Sequence, residues 1–142
     1  MMLTNWDKRY IKMAELLSTW TKDKSRGVGA VIVNNKNRVV SVGFNGFPTG
    51  INDDIEERHI KPIKYKFTEH AERNAIYNTT SPLDNCKIYI TLFPCSDCAR
   101  AIIQTGIQEV ICPYININDP WKDDFSISRE MLEESYINIK YY

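Results

Sequence analysis

The stretch CKIYITLFPCSDCARAIIQTG, Cys86–Gly106, contains a strand, a turn and a helix in sequence. Cys86–Leu92 alternates apolar and mixed residues, the mark of a strand. Pro94 breaks it, and Gly106 stops the helix that follows. Working outward, "EVICPY" after Gly106 reads as another strand, "INDPWKDD" as a loop, "SISREMLEES" as a helix and "YINIKYY" as a last strand. Upstream, "AERNAIYN" (71–78) reads as a helix ended by "TTSP". Val28–Val33 and Arg38–Phe44 are two β-branched runs joined by "NNKN", a hairpin. Asn5–Thr21 carries Trp6, Tyr10, Met13, Leu16, Leu17 and Trp20 at helical spacing, with Thr4 or Asn5 to cap it.

The order α-β-β-α-β-α-β-α-β predicts an α/β fold of three α-β-α layers. Its mixed five-stranded sheet has helices on both faces, the opening hairpin antiparallel and helix-joined strands parallel neighbours. "NGFPTG" (45–50) cannot be regular structure, and the charged segment 51–67 reads as a long surface loop with a short helical turn. At 142 residues, without repeats or a linker, residues 1–142 are expected to form one domain.

Eighteen basic and eighteen acidic residues cancel. A protein that binds nucleic acid usually shows a basic footprint, so no nucleic-acid partner is expected. No apolar run approaches the ~20 residues of a membrane span. "MMLTNWDKRY" lacks the layout of a signal peptide, so a cytoplasmic location is expected.

In a reducing compartment a C-x-x-C pair binds metal or does redox chemistry more often than it forms a structural disulfide. Cys95 and Cys98 sit at a helix start, where two thiolates can face one ion and the helix dipole favours their charge. His70, at the start of another helix, supplies a third ligand. Glu72 lies two residues on and is free to reach a water on the ion. Three N/S ligands and an open position define a catalytic zinc, one per chain, rather than a structural one. A structural site would need a fourth ligand. Cys86 lies at the far end of its strand, while Cys112 and His59 stay open as candidates. A thiol-redox role for Cys95 and Cys98 would leave His70 and Glu72 unexplained. Cys86 and Cys112 otherwise read as small buried hydrophobes.

"HAE" (70–72) followed by "PCSDC" (94–98) matches the H-x-E…P-C-x-x-C signature of zinc nucleobase deaminases. The chain also resembles the deoxycytidylate (dCMP) deaminases over nearly its whole length. The resemblance rests on "SRGVGAVIV" (25–33), "GFNGFPTG" (43–50), "KYKFTEHAERNAIYN" (64–78), "TLFPCSDCARAIIQTGI" (91–107) and "WKDDFSISREMLEE" (121–134). It implies a hydrolase that turns dCMP into dUMP and ammonia and supplies dUMP for thymidylate synthesis. Glu72 is then the proton shuttle. The Ala71 backbone N–H holds the pyrimidine carbonyl, Val28 and Phe93 flank the ring, and Asn45 holds the deoxyribose.

A monophosphate needs a cation; Arg26 and Lys122, with Trp121 beside it, are the candidates. Arg73 is a weaker one that can point at a neighbouring element. The resemblance also implies a homo-oligomer, a hexamer foremost, and dCTP and dTTP effectors with Mg2+. Glu69 before "HAE", where many eukaryotic members have cysteine, and the lack of a second zinc set count against that regulation. Another cytosine nucleotide or nucleoside, or a tRNA adenosine, is the alternative substrate; the balanced charge speaks against the last.

Overall fold

The computed structural model describes residues 2–142. Helix α1 (Asn5–Ser18) opens with a capping box: Thr4 Oγ1 accepts from the Asp7 N–H and the Asp7 carboxylate accepts from the Thr4 N–H. Strands β1 (Gly29–Val33) and β2 (Val39–Phe44) form the expected antiparallel hairpin. A 3-10 turn (Glu56–His59) and the short helix α2 (Lys64–Phe67) lie in the charged segment. Then come α3 (Ala71–Tyr77), β3 (Lys87–Ile90), α4 (Ser96–Thr105), β4 (Glu109–Cys112), α5 (Lys122–Glu134) and β5 (Asn138–Tyr141). Gly106 ends α4 in the left-handed region, φ 84°, where glycine meets no Cβ penalty.

The sheet order is β2-β1-β3-β4-β5. β3–β4 and β4–β5 are parallel, as helix-joined strands should be. The expectation fails at β2 and β3. They are joined through α2 and α3 but are not neighbours; β1 lies between them and pairs β3 antiparallel. The fully buried β1 takes an inner place between β2 and β3, and β2, half-exposed, takes the edge.

Alternate residues of the strands serve opposite faces. Ala30, Ile32, Ile88, Ile90, Val110 and Cys112 share a core with residues of α3, α4 and α5. Val31, Val33, Tyr89 and Ile111 share one with α1. The β3-α4-β4 and β4-α5-β5 crossovers have the same hand, which sets α4 and α5 on one side. Gly43 of β2 lets α3 come close. A Cβ there would collide with the backbone of Ala71 and Ala75.

Two readings of the sequence need correction. The buried stripe of α1 is Asp7, Tyr10, Ile11, Ala14 and Leu17, whereas Trp6, Leu16 and Trp20 are exposed. Asp7 enters the core because Tyr89 Oη and Lys140 Nζ donate to its carboxylate at 2.8 and 2.9 Å. And α5 begins at Lys122, inside the stretch read as a loop. Among the described residues no helix is long and apolar enough to cross a membrane.

Candidate active site

His70 and Cys95 are the N-cap residues of α3 and α4, both with extended backbone and neither using its side chain to cap. Both side chains are therefore free to face the space between the two helix starts. Cys98, one turn into α4, joins them. His70 Nδ1 lies 3.3 Å from Cys95 Sγ and 3.4 Å from Cys98 Sγ. Zinc bonds of about 2.3 Å to sulfur and 2.0–2.1 Å to nitrogen set tetrahedral N and S ligands about 3.6 Å apart. The donor set fits that ion. Among the described residues, His70, Cys95 and Cys98 are the one group of His, Cys, Asp and Glu side chains close enough to hold a metal.

The three side chains share their protons unequally. The Cys98 thiol donates to Cys95 and, against the opposing effect of burial, with His70 also helping, pulls the Cys95 thiol down to about 4. Cys98, holding the shared proton, is pushed up. The Cys95 hydrogen bond likewise raises His70. Arg73 is anchored by Glu69 at 2.5 Å and donates to Cys98 Sγ at 3.5 Å, so it touches the site as well as its neighbouring element. Glu72 is buried; burial, and then the charge on Cys95, raises its pKa.

Asp124 fixes the start of α4 from α5. Its carboxylate accepts from the Ser96 N–H at 2.8 Å and the Ser96 hydroxyl at 2.6 Å. This contact was not foreseen from the sequence, because it pairs two elements 28 residues apart.

A cavity of about 410 Å³ opens beside the trio, with His70, Ala71, Glu72 and Cys95 on its wall. Arg26, Asn45, Val28, Phe93 and Trp121, the residues that the sequence offered for contact with a substrate, line it too. The Ala71 N–H, at the first position of α3, has no partner within the helix. Asn45 is committed to the protein on one side: its Oδ1 accepts from the Val28 N–H at 2.8 Å and its Nδ2 donates to the Arg26 carbonyl at 3.0 Å. Each end of the amide keeps one further hydrogen-bonding position. Arg26 is paired with Asp119 at 2.8 Å.

Lys122 is not on the cavity wall. It starts a helix whose inward residues are Asp124 and Phe125, and at 100° per residue it lies some 200° around from Asp124. Trp121 lies one turn before Phe125 and stays on the inner side. Lys64 and Tyr65 of α2 line the cavity and went unassigned, although both fall in the stretch quoted for the resemblance.

The other metal-ligand candidates are placed elsewhere. His59 stacks on Phe47 with ring centroids 4.6 Å apart, its Nε2 2.6 Å from the Asp53 carbonyl. Cys86 and Cys112 are buried, and burial raises both thiols.

The chain is similar to known proteins. The family model of the cytidine and deoxycytidylate deaminase zinc-binding region matches residues 4–113. A protein described as an uncharacterized deaminase in the luxG 3′ region of Aliivibrio fischeri is 44% identical over 142 residues, 97% of this chain and 94% of that one. Human deoxycytidylate deaminase is 41% identical over 112 residues, which cover 75% of this chain but only 63% of the human protein. The crystal structure of dCMP deaminase from the cyanophage S-TIM5 in complex with dCMP and dUMP superposes with a TM-score of 0.75 at 26% identity, covering 100% of both chains. The chain belongs to the family defined by the cytidine and deoxycytidylate deaminase zinc-binding region.

Proposed function

We propose that residues 1–142 act as one zinc-dependent deaminase domain that hydrolyses dCMP to dUMP and ammonia, supplying dUMP for thymidylate synthesis. The observation that carries the reading is that His70, Cys95 and a buried Glu72 share one cavity wall, with Cys98 completing the ligand trio behind it. The choice of dCMP is supported by the names of the relatives and by the nucleotides bound in the phage structure.

His70 Nδ1 and the two Sγ atoms would hold the ion, which supplies an activated water as nucleophile near neutral pH. Glu72 moves the protons. It receives one from the nucleophile, delivers it to ring N3 and then serves the departing amine. A raised pKa suits a carboxyl that must carry a proton part of the time. The Ala71 N–H donates to the pyrimidine carbonyl, Val28 and Phe93 flank the ring, and Asn45 turns its remaining amide positions to the sugar. Arg26 and Trp121, which also line the cavity, would serve the phosphate. A cytoplasmic location, homo-oligomer assembly and control by dCTP or dTTP with Mg2+ rest on the sequence reading alone.

The test is turnover by zinc-loaded protein of dCMP, deoxycytidine, CMP and dCTP side by side, read by the ultraviolet change from cytosine to uracil. We expect dCMP to be the fastest. Failure with all four by protein that retains zinc, with and without dCTP and Mg2+, would overturn the reading.

A further inference from the structure

We infer that Lys64 is the side chain that reads the 5′-phosphate of the substrate, held ready for it by Asp23 and Ser25. The inference rests on the nucleotide reading above and deepens it.

A lysine is seldom buried without a partner, because losing hydration costs an ammonium several kcal/mol. Lys64 is 8% exposed, on the wall of the cavity that Glu72 also lines. Its Nζ donates to Asp23 Oδ1 at 3.1 Å and to Ser25 Oγ at 2.5 Å. An ammonium has three N–H donors, so one remains.

Asp23 pairs with this charge, its Oδ2 also 3.1 Å from Nζ, and at the same time holds the neighbouring loop. Its Oδ1 also accepts from the Ser25 N–H at 2.9 Å, the Ser25 hydroxyl at 2.9 Å and the Arg26 N–H at 3.3 Å. One carboxylate oxygen is shared among four donors. It serves as the anchor of a loop that fixes where Nζ sits.

The other cations are less well placed. Arg26 spends part of its guanidinium on Asp119, whose side chain is 5% exposed. Lys122 lies off the wall. Lys61 lines the cavity near Lys64 and has no hydrogen bond or ion pair among the described residues, so it adds positive charge without a fixed position. Lys64, Asp23 and Ser25 form one bonded cluster; His70, Cys95 and Cys98 form another, and no hydrogen bond joins the two. A cavity with a metal-ligand cluster and, apart from it, a lysine ammonium that keeps one N–H donor suits a molecule with a base at one end and a phosphate at the other. The plainer role for Lys64 is to brace the 23–26 loop, and it makes a different prediction.

The experiment compares kcat/KM for dCMP and for deoxycytidine in the wild type, Lys64→Gln and Lys64→Arg, with inorganic phosphate as a competitor. Lys64→Gln keeps N–H donors for Asp23 and Ser25 but removes the charge. We expect the preference for dCMP over deoxycytidine to fall about tenfold or more, as for loss of one charged hydrogen bond. Inhibition by inorganic phosphate should weaken with it. Lys64→Arg, which keeps the charge and moves it, should shift KM for dCMP more than KM for deoxycytidine; this arm stands if Lys64→Gln does not fold. Equal losses on both substrates, with the preference kept, would make Lys64 a brace and overturn the inference. A wild type that turns over deoxycytidine as well as dCMP overturns the nucleotide reading itself, before any variant is considered.

Discussion

Glu72 is 4% exposed, and no lysine or arginine pairs with it among the described residues. A carboxyl buried in this way is costly in its charged form, so its presence on the cavity wall points to proton transfer rather than to stability. Glu72→Gln keeps the shape and removes the titratable proton. Zinc content, measured by atomic absorption, should match the wild type, while turnover of dCMP should fall about 10²-fold or more. Retained turnover would remove Glu72 from the chemistry. His70, Glu72, Cys95 and Cys98 are legible in the sequence because each takes its place from a helix start, and helix starts are local signals. Lys64 and Asp124 are not. Their roles come from Asp23 and Ser96, partners 41 and 28 residues away. Lys122 misleads for a related reason: one turn of helix, not visible as such in "INDPWKDD", carries it off the wall.

At the scale of elements, the site depends on how two helix starts are presented to each other. Asp124 holds α4 from α5, and Gly43 lets α3 lie against β2. Gly43→Ala would put a methyl group against the backbone of Ala71 and Ala75, which cannot rotate away as a side chain can. The helix that carries Glu72 must shift instead. We expect a stability loss of about 1–3 kcal/mol in urea denaturation and lower turnover per folded molecule. An unchanged midpoint together with full turnover would show that α3 does not depend on this contact. The helices and strands themselves are readable from apolar period and from Gly and Pro. The antiparallel β1–β3 pairing is not, since period reports which residues are buried but not which strand lies beside which.

At the scale of the molecule, Asp7, Tyr89 and Lys140 join α1, β3 and β5 through one buried cluster. Burial opposes the charge on Asp7, but hydrogen bonds from Lys140, the Thr4 N–H and Tyr89 outweigh it and hold its pKa at about 2. An unfolded aspartate titrates near 3.9. The folded value is the lower one, so the stabilisation is complete above pH ~4–5 and drains away as pH falls through about 2. The stability gap between the wild type and Asp7→Asn, measured in urea, should narrow by about 2 kcal/mol between pH 5 and pH 2. A gap that stays constant over that range would mean the carboxylate is not held as described.

The same cluster bears on how the chain is made. Asp7 emerges from the ribosome early, and the ammonium that pairs with it follows 133 residues later. Until then α1 carries an apolar stripe and an anion that cannot be buried without its partner. Burying the first helix with its carboxylate paired thus requires β5, the last strand in the order. A chain cut before Lys140 leaves the Asp7 carboxylate without its ammonium, and its α1 should be cleaved by added protease faster than that of residues 1–142.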